Sequence, residues 1–258
     1  MEITLKGPDR DLHSGTYGGG VANPINLMSK LISSMHDENM KITIPGFYDK
    51  VLDLNDEDKN EILKGSLSIS DFKNSIGVKE LYGDKDFSLV ERIATRPTLD
   101  VNGIYGGYTG EGSKTVLPSE AHAKISMRLV PNQDWREISE LFKQYVLNFI
   151  PKSITAKIKT HHGAEPYVTP TTSIAYKAAI LAYKKSFGVD PFQQRGGGSI
   201  PIVPIFEKEL GVKSILMGFG LDSDAIHSPN EHFGLFNFFK GIETIIYFYE
   251  FYTNKYGL

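Results

Sequence analysis

The 258-residue sequence predicts an α+β domain, with a four-stranded antiparallel sheet and two helices on one face, followed by an α/β segment. Apolar and polar residues alternate in residues 2–8 and again in residues 121–130, which is typical of half-buried strands. Two long stretches between the candidate strands have helical periodicity instead. We assign residues 1–163 to the first domain, with an insertion at about 41–96, and residues 164–258 to the second segment.

Composition excludes several classes of protein. The apolar content of 40% is enough for a sizeable core, and a net charge of −3 gives no general attraction to nucleic acid or anionic membranes. Cysteine is absent, so every metal ligand must be His, Asp or Glu. The sequence has no secretory leader pattern and no apolar run that spans a membrane. These observations lead us to expect a cytoplasmic protein.

The elements of the first domain follow one another in a simple order. After the first strand and a glycine-rich loop, a helix is predicted at 24–35, with Asn23 as its cap and Pro24 in its first turn. The remaining elements are a strand at 97–105, a strand at 121–130, a helix that Asp134 caps and that runs to 149, and a strand at 154–160. The order β-α-(insertion)-β-β-α-β is that of the split βαβ, ferredoxin-like arrangement.

The insertion carries no recognisable chemistry of its own. Residues 42–48 predict an edge strand and a turn, because proline cannot donate within a ladder. Short helices are predicted at 53–64, 71–82 and 86–94, and we expect the insertion to cover one side of the sheet. The acidic cluster around Asp56 lacks the glycine and terminal glutamate of a calcium loop, so it indicates a solvated helix face.

The second segment has an α/β pattern. The elements expected are a helix from Ser173 to 187, an extended stretch at 192–194, a helix at 201–210, a short apolar strand at 214–217 and an aromatic C-terminal helix. The loop after the short strand contains Asp224-Ala-Ile-His227-Ser-Pro-Asn-Glu231. A histidine on such a loop can hold a neutral imidazole towards a metal. One histidine with two nearby acids is equally compatible with a loop that has no ligand role.

Several other motifs contain candidate functional residues, each with a plainer alternative. His13 lies in Asp-Leu-His-Ser-Gly and could be an ordinary turn histidine. Arg128 ends a strand; its planar guanidinium suits a carboxylate, but it could equally form a surface ion pair. The turn that begins at Arg195 precedes a helix, where free backbone N–H groups can seat an anion, although it could be only a tight turn.

Taken together and in order, these motifs closely resemble the dinuclear zinc metallopeptidases of the M20 family, which include aminoacylase, carboxypeptidase G and carnosinase. The carnosinase-like dipeptidase branch is the nearest, because of the Asp-Leu-His-Ser-Gly loop and the long insertion. The resemblance implies that His13 reaches across a homodimer and stabilises the oxyanion in the partner's active site. It implies that His227 is a terminal zinc ligand.

The resemblance also assigns residues that hold the substrate. It implies that Thr115, in Lys-Thr-Val-Leu-Pro, acts across the dimer and that Arg128, in Met-Arg-Leu-Val-Pro, grips the substrate's C-terminal carboxylate. His162 is a candidate for substrate contact. The turn assigned to the carboxylate end of the peptide consists of Arg195, Gly197, Gly198 and Ser199. Glycine at positions 196 and 198 replaces the acid and serine of carnosinase, which leaves the dipeptide preference open.

The zinc ligands that the family places earlier are missing, since the sequence contains neither a His-x-Asp nor a Glu-Glu pair. The resemblance therefore implies a lid and dimerisation domain followed by the C-terminal part of the catalytic domain. We expect a zinc-dependent peptidase of dipeptides or short peptides, with two zinc ions in the complete site, which the isolated chain neither retains nor uses. The alternatives are an aminoacylase or carboxypeptidase of the same family, or a non-catalytic dimerisation or peptide-binding module.

Overall fold

The computed structural model of the protein describes residues 1–197 and 200–256, except for the side chains at positions 222 and 254–256. Within these residues the chain forms two compact units, each with its own contacts. Unit 1 consists of Met1–Asp53, Gly83–Pro166 and Gly197–Pro201, and unit 2 consists of Leu54–Tyr82, Tyr167–Gly196 and the described residues from Ile202 onwards.

Unit 1 contains the four-stranded antiparallel sheet that the sequence predicts. The strands of the described chain are β1 (Glu2–Lys6), β2 (Leu12–His13), β3 (Thr98–Gly106), β4 (Val116–Leu117), β5 (Glu120–Arg128) and β6 (Thr155–Lys159). The sheet has the order β3-β5-β1-β6, and every neighbouring pair is antiparallel. A separate short ladder joins β2 to β4.

The helices follow the predicted sequence of elements with shifted ends. Those of the described chain are α1 (Ser14–Tyr17), α2 (Pro24–Ser34), α3 (Asp56–Lys64), α4 (Ile69–Ile76), α5 (Leu89–Ala94), α6 (Trp135–Phe149), α7 (Ile174–Phe187), α8 (Ile202–Leu210) and α9 (Leu235–Tyr256). Both predicted caps of unit 1 are confirmed: Asn23 Oδ1 accepts the N–H of Ile25 at 2.9 Å, and Asp134 Oδ1 accepts that of Arg136 at 2.7 Å.

The core of unit 1 lies between the sheet and the helices α2 and α6. Alternation along the strands brings one row of apolar side chains to the helical face, where they pack with residues of both helices. The fully buried members of this core include Ile3, Leu5, Met28, Leu31, Ala123, Phe142 and Val146. The other face is polar: Thr4 Oγ1 lies 3.1 Å from His122 Nδ1, and the His122 ring stacks on Tyr105 with centroids 4.5 Å apart.

The edge strand predicted at 42–48 is wrong. The described chain has only an isolated bridge there, between His36 and Ile42, and Gly46 turns the backbone with φ +80°. Pro45 has no N–H to continue a ladder, so the segment is held by side chains instead. Buried Gln133 donates from Nε2 to the carbonyl of Phe47 at 2.8 Å.

Unit 2 is helical over the described residues, and the strands predicted at 192–194 and 214–217 are absent from that part of the chain. A strand needs a partner, and the described part of this unit contains no neighbouring strand. The backbone of Ser214 is satisfied by Tyr167 instead: the tyrosine hydroxyl donates to its carbonyl at 2.8 Å and accepts its N–H at 2.9 Å.

The predicted insertion is divided between the two units. Residues 54–82 belong to unit 2, where Gln194 Nε2 donates to the carbonyl of Gly65 at 3.4 Å, whereas residues 41–53 and 83–96 belong to unit 1. Helices α7 and α9 of unit 2 are joined by a buried contact between Ser186 Oγ and Thr244 Oγ1 at 2.5 Å. Among the described residues, no helix has the length and apolar character needed to cross a membrane.

Candidate functional site

The first group of candidate residues is held by the short β2–β4 ladder. His13 lies opposite Val116, and the N–H of Ser14 donates to the carbonyl of Thr115 at 3.0 Å. This pairing brings Thr115 Oγ1 to 3.5 Å from His13 Nε2, while Thr16 Oγ1 lies 3.4 Å from Nδ1. The exposed imidazole of His13 therefore has a hydroxyl beside each ring nitrogen.

Two further residues of the same loop keep the histidine in place. A Cβ at Gly15 would lie 2.7 Å from Cε1 of His13, so any larger residue there would displace the ring. The carboxylate of Asp11 accepts the N–H of Ser119 at 2.8 Å and its hydroxyl at 3.0 Å. These hydrogen bonds, the backbone one above all, lower the pKa of Asp11. Sequence reasoning gave Asp11 no role, because its partner lies far along the chain.

The second group lies at the end of β5. Arg128 is the last residue of this strand and pairs with Thr98 of β3. A Cβ at Gly197 would lie 3.6 Å from Cγ of Arg128, an ordinary packing distance, so the glycine turn and the arginine are neighbours within unit 1. Gly198 and Ser199 lie outside the described residues. Arg195 is half-buried and belongs to unit 2.

His162 is exposed in the segment that follows β6. Its neighbour His161 is paired with Glu2 at 2.8 Å between Nε2 and Oε2. The hydrogen bond from His161 is the largest of the effects that lower the pKa of Glu2. After His162 in the sequence, Glu165 Oε1 accepts a hydrogen bond from Arg136 Nη1 at 2.9 Å.

The His227 loop of unit 2 is closed by its own carboxylates. Asp224 is 3% exposed and accepts the N–H of Leu221 at 2.8 Å, while Glu231 Oε2 accepts the N–H of His227 at 3.1 Å. The backbone is left-handed at His227, with φ 62°, and also at Ala225, with φ 55°. The loop thus presents an exposed imidazole on a strained, internally bonded turn.

The described residues do not by themselves provide a metal site. No group of three or more His, Asp and Glu side chains in the described ranges could hold an ion. In the loop itself, His232 Nε2 lies 3.9 Å from Asp224 Oδ1, which leaves only a histidine and an acid together. Zinc sites in proteins use at least three protein ligands. The donors among the described side chains therefore do not fit a complete zinc centre.

Known proteins resemble this chain over almost its full length. The Cys-Gly metallodipeptidase DUG1 of Candida albicans is 32% identical over 95% of this chain and 51% of the relative, and the Beta-Ala-His dipeptidase of Homo sapiens is 28% identical over 96% and 49%. The solved M20 family metallo-carboxypeptidase Sso-CP2 from Sulfolobus solfataricus matches with a TM-score of 0.84 and 33% identity, over 97% of this chain and 57% of that one. The chain thus spans about half the length of the curated relatives it matches.

The match extends to a defined family region. Residues 1–154 match the peptidase dimerisation domain of the M20 family. This region includes three of the four strands of the sheet, β1, β3 and β5, together with His13, Thr115 and Arg128, and it ends just before β6. The chain therefore belongs to the M20 peptidase family.

Proposed function

We propose that this chain is the dimerisation and substrate-holding part of a metallodipeptidase that hydrolyses dipeptides or short peptides. The relatives named as Cys-Gly and Beta-Ala-His dipeptidases support the reaction class. The observation that carries the proposal is the contact between His13 and Thr115, since two residues 102 positions apart in sequence are brought side by side.

The division of the chain into domains is part of the proposal. Residues 1–163 form the lid and dimerisation domain, with a ferredoxin-like arrangement that the strand order β3-β5-β1-β6 supports. Residues 164–258 are the C-terminal segment of an α/β catalytic domain. The lid and dimerisation domain pairs with a second copy of itself to form a homodimer, as the description of the matching family region suggests.

His13 and Thr115 serve the partner's active site in this proposal. A peptide carbonyl that is attacked at carbon develops negative charge on its oxygen, and a positioned N–H donor lowers the energy of that state. His13 supplies such a donor from the rigid β2–β4 ladder, and Thr115 orients the ring through its hydroxyl. A preorganised donor contributes more than a mobile one, because nothing has to reorganise during the reaction.

The substrate's carboxylate end is held by the second group. Arg128 presents two parallel N–H groups to a carboxylate. We assign the same role to Arg195, Gly197, Gly198 and Ser199, a glycine-rich sequence that can offer backbone N–H donors. Glycine at 197 lets a ligand approach the backbone closely. His162 contacts the peptide from the segment after β6.

The metal of the complete enzyme is proposed to be zinc, with two ions per site and His227 as a ligand from this chain. The other ligands come from residues outside it, since the described donors do not complete a site. We therefore expect the isolated chain to retain no zinc and to be inactive. We also propose a cytoplasmic location, which a cysteine-free sequence suits.

The proposal is tested with the full-length protein that contains this chain, purified with zinc. The assay measures its hydrolysis of Cys-Gly and β-Ala-His. Replacement of His13 by Ala should lower kcat by about 10²–10³-fold, the usual effect of losing one oxyanion donor. His122→Ala is a matched control, because His122 lies on the sheet of the same unit and has no proposed role. Equal activity of the His13 variant and the parent would refute the role of His13.

Two alternatives remain distinct from this proposal. A carboxypeptidase is favoured by the similarity to Sso-CP2, and a preference for longer peptides in the same assay would identify it. An aminoacylase would share the same site, and a preference for N-acyl amino acids would identify it. A non-catalytic dimerisation or peptide-binding module is favoured because the described side chains do not form a complete metal site. Peptide binding without hydrolysis, in the presence of zinc, would identify the module.

A further inference from the structure

The segment that leaves unit 1 has no regular secondary structure between residues 160 and 170. Neither helical hydrogen bonds nor a strand ladder fix its backbone, and segments of this kind at unit boundaries are usually mobile. Any order in it must come from side-chain contacts. His162, the proposed peptide contact, lies within this segment and is exposed.

Trp135 packs directly against this segment. A Cβ at Gly163 would lie 2.7 Å from Cγ of the indole and closer still to Cδ2 and Cε3, a separation that real Cβ atoms do not adopt. Only glycine therefore leaves room for the ring at this position. Trp135 is half-buried and is the first residue of α6, whose cap and core packing make it a rigid support.

A hydrogen bond and an ion pair lie on either side of this contact in the sequence. His161 hydrogen-bonds to Glu2, and Glu165 forms an ion pair with Arg136, whose guanidinium carbon lies 4.6 Å from the centroid of the Trp135 ring. Exposed polar contacts of both kinds are weakened by water, and ion pairs by salt as well, so the two contacts contribute little on their own. The packing of a large apolar ring is not screened in this way. The contact between ring and glycine is therefore the main restraint.

We propose that Trp135 is a positioning residue, which holds residues 161–165 against the start of α6 through Gly163 and so presents His162 to a peptide in one fixed orientation. The inference rests on the substrate-binding role proposed above for His162. A segment that is ordered before binding loses less conformational entropy when the ligand arrives. Loss of the ring should therefore weaken peptide binding more than it slows the chemical step.

Backbone ¹⁵N relaxation of the chain itself tests the restraint without any need for activity. In the parent, the amides of 161–165 should have order parameters near those of the sheet, about 0.85, and Trp135→Ala should lower them below about 0.6. Trp135→Phe keeps an apolar ring and should restore part of the order. Unchanged order parameters in the sheet show that the variants are folded. A segment equally mobile in parent and Trp135→Ala would overturn the proposal.

The fluorescence of the chain's single tryptophan gives a second readout. Gly163→Ala should push the indole towards water and shift its emission to longer wavelength. Gly103→Ala is the matched control, because a Cβ at Gly103 meets nothing within 4 Å and the emission should stay as in the parent. Identical emission from Gly163→Ala and the parent would show that the ring does not pack on Gly163.

Values of kcat and KM for the full-length protein that contains this chain then separate the two proposals. Trp135→Ala should raise KM for a dipeptide about tenfold and leave kcat within about twofold, the pattern expected when only binding is lost. Trp135→Phe should bring KM most of the way back to the value of the parent. If the parent hydrolyses no peptide, the proposed function fails while the relaxation result still decides the restraint. A fall in kcat at unchanged KM would refute the positioning role.

Discussion

At the scale of single residues, Asp11 gives the β2–β4 ladder a pH-dependent attachment. Its two hydrogen bonds from Ser119 lower its pKa, so the folded state binds the proton less tightly than the unfolded chain does. The stabilisation is present above the unfolded pKa and is lost as the pH falls through the lower, folded pKa. The group is exposed, so water reduces the effect.

Replacing Asp11 by Ala should therefore lower the free energy of unfolding of unit 1 by about 1 kcal/mol at neutral pH and by much less at acid pH. Asp11→Asn keeps an oxygen that can accept from Ser119 but has no charge, so it should lose the pH dependence and retain part of the stability. Urea denaturation of the three proteins at both pH values measures this. An equal loss at neutral and acid pH in the Ala variant would show that the charge of Asp11 does not stabilise the fold.

Ala225 illustrates backbone strain at a single residue. Its φ of 55° is a left-handed conformation that costs an ordinary residue about 1–2 kcal/mol and costs glycine almost nothing. Glycine also makes the unfolded chain more flexible, which offsets part of the gain. Ala225→Gly should therefore raise the free energy of unfolding of unit 2 by about 0.5–1 kcal/mol.

Ala182→Gly is the matched control for that substitution, because Ala182 is fully buried within α7. It should lower the stability of the same unit by about 1 kcal/mol or more, since glycine is unfavourable in a helix. Chemical denaturation compares both variants with the parent. Destabilisation by both substitutions would show that Ala225 is not strained in solution.

At the scale of elements, the sequence correctly predicted features that depend on neighbouring residues, such as helix caps. Asn23 and Asp134 cap the predicted helices because a short polar side chain can accept the free N–H groups of a first turn. The strand at 214–217 was wrong, because pairing depends on a neighbour that the local sequence does not reveal. The segment at 42–48 was wrong for a related reason, since Pro45 and Gly46 bend it and buried side chains hold it.

Gln133 is the side chain that connects that segment to the start of α6. It is 3% exposed, accepts the N–H of Val130 at 2.9 Å and donates to the carbonyl of Phe47 at 2.8 Å. Gln133→Ala leaves both backbone groups without this partner and should lower the free energy of unfolding by about 2–4 kcal/mol.

Urea denaturation measures the cost, with Gln144→Ala as the control on the same helix. Gln144 is exposed and bonds only to Glu140 one turn away, so its loss should change stability by less than about 0.5 kcal/mol. Equal effects of the two substitutions would mean that Gln133 does not join the two elements.

At the scale of the whole molecule, the motifs predicted the family and the sheet, but not the contacts that join distant parts of the chain. The sequence around each residue does not predict the contacts of Asp11 with Ser119 or of Trp135 with Gly163. Only the folded sheet and helices bring these residues together. The resemblance assigned His13 and Thr115 roles across the dimer, but it did not predict that the two side chains lie 3.5 Å apart. The zinc ligands that the resemblance requires are the part that this sequence does not contain.

We propose that zinc ligands from residues outside this chain complete the catalytic centre. Equilibrium dialysis of the purified chain against zinc, followed by an assay of Cys-Gly hydrolysis, tests it most directly. Because no described side chains join His227 in a group of three or more ligands, we expect well under one equivalent of retained zinc and no hydrolysis. Stoichiometric zinc that survives dialysis, together with peptide cleavage, would contradict the claim.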